Sequence, residues 1–156
     1  QDHESEQGMT HAASAYPELH ARIEASFVRQ GMMRHLGARL VSVAPGEVEI
    51  ALPYSERVTQ QQGGYHGGAM GALADIAAGY AGLTLAAEGQ EVTTVEYKIN
   101  FLAAFQGGEL RARGHVVRAG KRLIITTAEV VHLDDDGGES PCALMQQTLA
   151  TVNKTY

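Results

Sequence analysis

One carboxylate stands alone in this chain. From Gly68 to Ala87 most side chains are small or apolar, and Asp75 carries the only formal charge. A carboxylate in such surroundings is costly unless it is hydrogen-bonded, paired or used. Held by its own structure it is an incidental core residue; presented to a reactant it is a general base or a nucleophile. The residues ahead of it run Gln60-Gln-Gln-Gly-Gly-Tyr-His66-Gly67-Gly68, a polar, glycine-rich loop that feeds the apolar segment.

The element that must position Asp75 is that segment. Its Ala, Gly, Leu, Ile, Met, Tyr and Thr residues, with little β-branching, predict a helix of about 30 Å ending at Glu88-Gly89. The length would suit a membrane span, but Ala and Gly are weak membrane formers and the flanks lack basic or aromatic anchors. A helix apolar all round is therefore expected inside a protein core. Of the 18 glycines in the chain, five fall between Gly67 and Gly82, where propensity disfavours them. Close approach of a sheet to the helix is the better reason for their presence.

The remaining elements follow from periodicity. Tyr16-Pro17 opens an amphipathic helix marked by Leu19, Ile23, Phe27 and Gln30 and expected to end at Gly31. Strands are predicted over Gly37–Ala44 and Glu47–Leu52, joined by a Pro45-Gly46 turn. After the long helix the period switches to two over Glu91–Phe105. Val95, Tyr97, Ile99 and Phe101 fall on one face, and Thr94, Glu96, Lys98 and Asn100 on the other. Glu109–Ala119, Lys121–Leu133 and Cys142–Val152 read as three more strands, the last two separated by an acidic loop, Asp134–Pro141. The order is helix, two strands, long helix, four strands: an α+β fold in a single domain over residues 16–156.

Composition narrows the function. A formal net charge of −6 argues against general nucleic-acid binding. The single cysteine, Cys142, excludes an intrachain disulfide and fits a reducing, cytoplasmic setting. No charged-then-apolar signal segment opens the sequence, and residues 1–15 read as a disordered leader or cloning remnant. The histidines other than His66 (His3, His11, His20, His35, His115 and His132) show no metal-ligand spacing and read as surface or strand residues.

Four stretches together carry a family resemblance: Gly64-Tyr-His66-Gly-Gly, Leu73-Ala-Asp75, Thr94-Val-Glu-Tyr-Lys-Ile-Asn-Phe-Leu102 and Val117-Arg-Ala-Gly-Lys-Arg122. The chain resembles hotdog-fold acyl-CoA thioesterases of the phenylacetate-degradation type over roughly Gly31 to Val152. The resemblance implies a curved antiparallel sheet wrapped around the long central helix. It implies hydrolysis of an aromatic or medium-chain fatty acyl-CoA, with no metal and no bound cofactor. It implies a dimer whose sheets join edge to edge, usually paired again into a homotetramer, with active sites shared across the subunit interface. Neither a membrane nor a nucleic acid is an expected partner.

The residue chemistry agrees with that picture. A thioester carbonyl gains negative charge when water attacks it, and the helix start can supply N–H donors at Gly67 and Gly68. Glycine at both positions also lets an acyl thioester approach the backbone. Nine helical residues from His66 turn the chain by ~900°, or half a revolution, at ~100° each. Asp75 is therefore expected to point roughly opposite the Gly67 end and ~13 Å further along. Two protomers related by a two-fold axis can place both groups on one carbonyl.

Further site residues come from the resemblance. Gln60 matches a position that the family fills with Asn or Gln to bind the carbonyl or position water; the alternative is an ordinary loop amide. His66 matches the family histidine at the thioester, and a helix-capping histidine is the competing reading. Thr94 matches a Ser or Thr that helps hold the attacking water, and is preferred over Thr93 on strand parity. Arg118, Lys121 and Arg122 lie where the family often grips the coenzyme A phosphates, although a basic turn is also a common solvated feature. Two other functions fit the fold: a hydratase or dehydratase of 3-hydroxyacyl thioesters, and a non-catalytic acyl-CoA-binding module.

Overall fold

The computed structural model describes residues 14–156. The leader expected over residues 1–15 lies, but for Ser14 and Ala15, outside the described residues, as do His3 and His11. Helix α1 (Pro17–Phe27) has proline in its first turn and turns Ile23 and Phe27 inward. It is followed by a second helix, α2 (Gly31–Leu36), so Gly31 starts an element where the sequence suggests only an end. Gly37, with φ at 81°, is the left-handed cap of α2, which is why the next strand starts two residues later than its apolar run.

Six antiparallel strands follow: β1 (Arg39–Ala44), β2 (Glu47–Pro53), β3 (Gln90–Phe101), β4 (Glu109–Ala119), β5 (Leu123–Leu133) and β6 (Glu139–Asn153). Their order across one sheet is β1-β2-β4-β5-β6-β3. The long helix α3 (Gly67–Leu83) lies on the inner face of this sheet and touches β2, β3, β4, β5 and β6. The fold is the α+β hotdog arrangement, a curved sheet around a buried helix.

Glycine makes the close approach possible. A Cβ on Gly114 of β4 would run into the backbone of Ala77, and one on Gly82 would run into the Leu149 side chain. The helix is shorter than its apolar run suggests. Thr84 ends it, its hydroxyl donating back to the Ala81 carbonyl at 2.6 Å and accepting the Gly46 N–H at 2.8 Å. The β1–β2 turn is thereby tied to the C-terminal end of α3.

Three strand boundaries differ from the sequence pattern. Strand β3 stops at Phe101 because the Phe105 carbonyl leaves the ladder and accepts the Tyr65 N–H at 3.0 Å. Strand β6 starts at Glu139, three residues early; Pro141, which has no N–H to give, sits at a register shift opposite Val131. Within β3 a bulge falls between Thr94 and Glu96. That extra residue reverses the side-chain alternation. Thr94 consequently faces α3, on the same side as Tyr97, Ile99 and Phe101, and not on the opposite face as strict alternation predicts.

Strand β3 runs antiparallel alongside α3. Cβ atoms built at Gly67 and Gly71 would lie 3.2 Å from Phe101 Cζ and 3.1 Å from the Tyr97 hydroxyl. Thr94 lies further along, beside Asp75. This strand forms one edge of the sheet, and Val95, Tyr97 and Phe101 are exposed on it.

Candidate active site

Helix α3 carries Asp75 on the side that faces β3 and β6. Thr94 Oγ1 donates to Asp75 Oδ1 at 2.7 Å. Gln147 Nε2 donates to the same oxygen, and also to the Asp75 main-chain carbonyl at 3.2 Å. The amide is oriented from behind: Thr126 Oγ1 donates to Gln147 Oε1 at 2.8 Å, in a pair that is fully buried. With Oε1 occupied by Thr126, Nε2 must face Asp75. Oδ2 of Asp75 accepts no hydrogen bond from any described residue.

Burial pushes the Asp75 carboxyl above its ordinary value of 3.8, and the donations from Thr94 and Gln147 pull partly against this. The group has one oxygen locked and one open, and its proton affinity is raised. That arrangement suits a base or a nucleophile better than a plain structural contact.

Asp75 opens onto a cleft of about 320 Å³ between α1, α3 and β3. Ile76, Gly79, Val92 and Leu149 form its apolar sides. Tyr80 also lines it, its ring edge-on to Phe27 at 6.2 Å, together with the polar side chains of Arg29, Glu91 and Tyr156.

The other expected site residues gather at the N-terminal end of α3. His66 is the N-cap, and its Nδ1 accepts the Gly68 N–H at 2.7 Å. The expectation of two open donors is therefore corrected: the imidazole takes the Gly68 N–H, and only the Gly67 N–H is without a partner among the described residues. The loop before it is closed by a Thr59–Tyr65 bridge and by the Gln60 N–H on the Gly64 carbonyl at 2.9 Å. The Gln60 side chain folds back onto the Gln62 N–H, beside Phe105 and Gln106.

Within one chain these two groups are apart. Counted from Gly67, Asp75 is eight residues along, which is ~800° of turn and ~12 Å of rise. The angular offset is thus nearer a quarter turn than the half turn counted from His66, and the axial rise is what separates the two.

The basic cluster lies on a third feature, the β4–β5 hairpin. Arg118, Lys121 and Arg122 are exposed, and no carboxylate pairs with them among the described residues. The arginines of the sheet differ: Arg39, Arg111 and Arg113 are bound to Glu109, Glu49 and Glu139. Ile124, Leu149 and Thr94 stand in one row across β5, β6 and β3. The hairpin therefore emerges just beyond the Asp75 level of the sheet, roughly 10 Å across two strand spacings.

A profile of the thioesterase superfamily matches residues 62–139, which include the helix start, Asp75 and Thr94. The chain belongs to the thioesterase superfamily. A thioesterase family protein from Silicibacter pomeroyi has a similar structure, with a TM-score of 0.83 and 38% identity over 87% of this chain and 99% of that one. The 1,4-dihydroxy-2-naphthoyl-CoA hydrolase of Listeria monocytogenes is 31% identical over 80% of this chain and 98% of its own length. The Escherichia coli PaaI protein, from the phenylacetic acid degradation operon, shares the fold at a TM-score of 0.79 and 22% identity, over 91% of this chain and 99% of that one. The chain is a thioester hydrolase of the hotdog type.

In this thioesterase, the sequence pattern overlooks Gln147. The signal was present: Ala143, Met145 and Leu149 alternate on the inner face of β6, and a glutamine interrupts that apolar run. Cys142 is not a competing nucleophile, since burial pushes its thiol up to about 11 and its Sγ rests 3.3 Å from Met70 Sδ. His132 is a buried strand histidine, stacked on Phe105 with ring centroids 4.5 Å apart. Among the described residues, no three His, Cys, Asp or Glu side chains are placed to hold a metal ion. No described helix is long and apolar enough to cross a membrane.

Proposed function

We propose that this thioesterase hydrolyses aromatic or medium-chain fatty acyl-CoA to the free acid and coenzyme A, in an active site completed by a second copy of the chain. The observation that carries the reading is Asp75, a carboxylate of raised proton affinity fixed through one oxygen and open at the other. The naphthoyl-CoA hydrolase among its relatives supports an aromatic acyl group.

The Gly67 N–H, at the positive end of α3, polarises the thioester carbonyl and stabilises the oxyanion. Asp75 Oδ2 takes a proton from water as its oxygen bonds to the carbonyl carbon, with Thr94 beside it. The C–S bond then breaks and the thiolate leaves as coenzyme A. In the nucleophilic variant the carboxylate oxygen itself forms the first bond, and water opens the resulting anhydride. Gln60 and His66 flank the carbonyl end, and Arg118, Lys121 and Arg122 hold the phosphates of coenzyme A.

The long, unpaired edge of β3 supports a shared site. If β3 pairs antiparallel with β3 of a second copy about an axis near Tyr97–Lys98, Phe101 of one chain faces the Thr94 level of the other. The Gly67 end of one helix then meets Asp75 of the partner subunit. Pairing also covers an edge that is otherwise exposed and apolar. A dimer, and from it a homotetramer, follows from this reading, and the reduced thiol of Cys142 fits a cytoplasmic setting. Thiol release from a panel of acyl-CoAs, followed with a thiol dye, tests the activity. Hydration of an enoyl-CoA without thiol release would replace it with the hydratase reading.

A further inference from the structure

Tyr65 stands two residues before Gly67 and is 4% exposed. It is fastened at both ends to the connection between β3 and β4. Its main-chain N–H donates to the Phe105 carbonyl at 3.0 Å. Its hydroxyl donates to the Gly107 carbonyl at 2.9 Å and shares the same proton with the Gly108 carbonyl at 3.2 Å. Between these points the ring meets Tyr54 and His132 edge-on, with centroids 5.3 and 6.1 Å away. Burial, and after it the charge of Glu109, raises the phenol above its ordinary value of 10.0, so the proton is present at neutral pH.

Neither carbonyl needs that hydroxyl. Gly107 also accepts from His132 Nε2 at 2.9 Å, and Gly108 accepts from the Tyr54 N–H at 3.1 Å. A carbonyl can only accept, so Nε2 carries the His132 proton. Taking the Tyr65 hydroxyl away would thus leave no buried carbonyl unpaired. What the hydroxyl does is fix where residue 65 sits.

That place bears on the site from two sides. His66 and Gly67 follow directly, and the His66 N–H is held on the Val58 carbonyl at 2.7 Å. The same connection leads back to Phe101 at the end of β3, whose ring lies against Gly67: a Cβ there would be 3.2 Å from Phe101 Cζ. The first turn of α3 meets β3 here by packing, and Tyr65 adds directed hydrogen bonds. If β3 pairs with β3 of a second copy, the span from the Gly67 N–H to Asp75 of the partner subunit depends on how that turn sits on β3.

We infer that Tyr65 is a positioning residue: its hydroxyl, on the Gly107 and Gly108 carbonyls, sets the Gly67 N–H where it meets the thioester carbonyl. The inference rests on the proposed role of Gly67 as oxyanion donor, and its test separates the two.

Thiol release from phenylacetyl-CoA and octanoyl-CoA is measured for the native protein, Tyr65→Phe, Gly67→Pro and the double variant. Tyr65→Phe keeps the ring and leaves each carbonyl its other donor, so it should fold, as circular dichroism checks. Its kcat is expected to fall about three- to tenfold, the scale of one net hydrogen bond, with KM changed less than about twofold. With Gly67→Pro in place the donor is gone, and adding Tyr65→Phe should lower kcat no further. A merely structural tyrosine would lower kcat by the same factor in both backgrounds. Equal factors, a native-like kcat in Tyr65→Phe, or a Tyr65→Phe protein that does not fold overturns the inference and leaves Gly67 as donor. A native-like kcat in Gly67→Pro removes the donor, and the positioning role with it. No thiol release by the native protein from either compound overturns the hydrolysis and the inference together.

Discussion

At Asp75 the two oxygens have different work. Oδ1 accepts from Thr94 and Gln147, Oδ2 accepts from no described residue, and the side chain lines the cleft. Asp75→Asn can keep both bonds to the first oxygen while placing an amide nitrogen where Oδ2 stood. We expect kcat to fall by about 10²–10⁴, the scale of a lost general base, with acyl-CoA still bound. The raised proton affinity also fixes a sign for stability. Where the folded group binds its proton above 3.8, its favourable contribution is present below that ordinary value and is lost as pH rises through the folded pKa. The Asp75→Asn protein should therefore melt above the native protein at pH 7, and the gap should close as pH falls toward about 4. A gap that widens on acidification would mean that the carboxylate is stabilised by its neighbours. The same direction of shift should move the acid limb of the kcat profile upward from the ordinary Asp position. Gln147→Leu removes the donor that orients Asp75 and leaves Thr126 without its acceptor, so a loss of both stability and kcat is expected. Thr94→Ala and Gln60→Ala should each cost less than Asp75→Asn, since other contacts remain.

Elements explain why some of this was legible in the sequence and some was not. The helix showed itself through twenty residues with a single charge. The strands showed themselves through period two, and the glycines of α3 through their cost to a helix. What period two cannot show is its own interruption. One bulged residue at Val95 moves Thr94 to the helix side, so Thr94 reaches Asp75 by a route that alternation denies. Gln147 was hidden similarly: a polar residue in a strand reads as solvent-facing unless its partner on the helix is known. The short α2 was lost because six residues carry too little pattern. Glycine substitutions separate packing from propensity within α3. Gly82→Ala would force Leu149 aside and should lower the melting temperature. Gly79→Ala meets nothing and should raise stability by up to about 1 kcal/mol, because alanine is the better helix former. Equal effects from the two changes in thermal melts would count against the close-packing role of Gly82.

For the whole molecule, charge and symmetry set the expectations. The chain is acidic, yet its β4–β5 hairpin presents three cations without acidic partners among the described residues. Replacing Arg118, Lys121 and Arg122 together with glutamine should raise KM for acyl-CoA about tenfold with kcat little changed, since phosphate contacts are made equally in ground and transition states. An unchanged KM would leave the hairpin a solvated turn.

The central claim is that Gly67 of one chain and Asp75 of another act on one carbonyl. Gly67 is the first residue of α3, and proline is well tolerated at such a position while removing the N–H. His66, before it, already has the extended backbone that a following proline requires. Gly67→Pro should fold and lose about 10²–10³ in kcat, the scale of one oxyanion donor. The decisive measurement co-expresses Gly67→Pro and Asp75→Asn chains under different affinity tags and assays the purified mixed oligomer for thiol release. A shared site predicts that each mixed dimer regains one intact site, about half the native activity, although both parents are nearly inactive. Activity no higher than that of the parents would place both groups in the same chain and contradict the account.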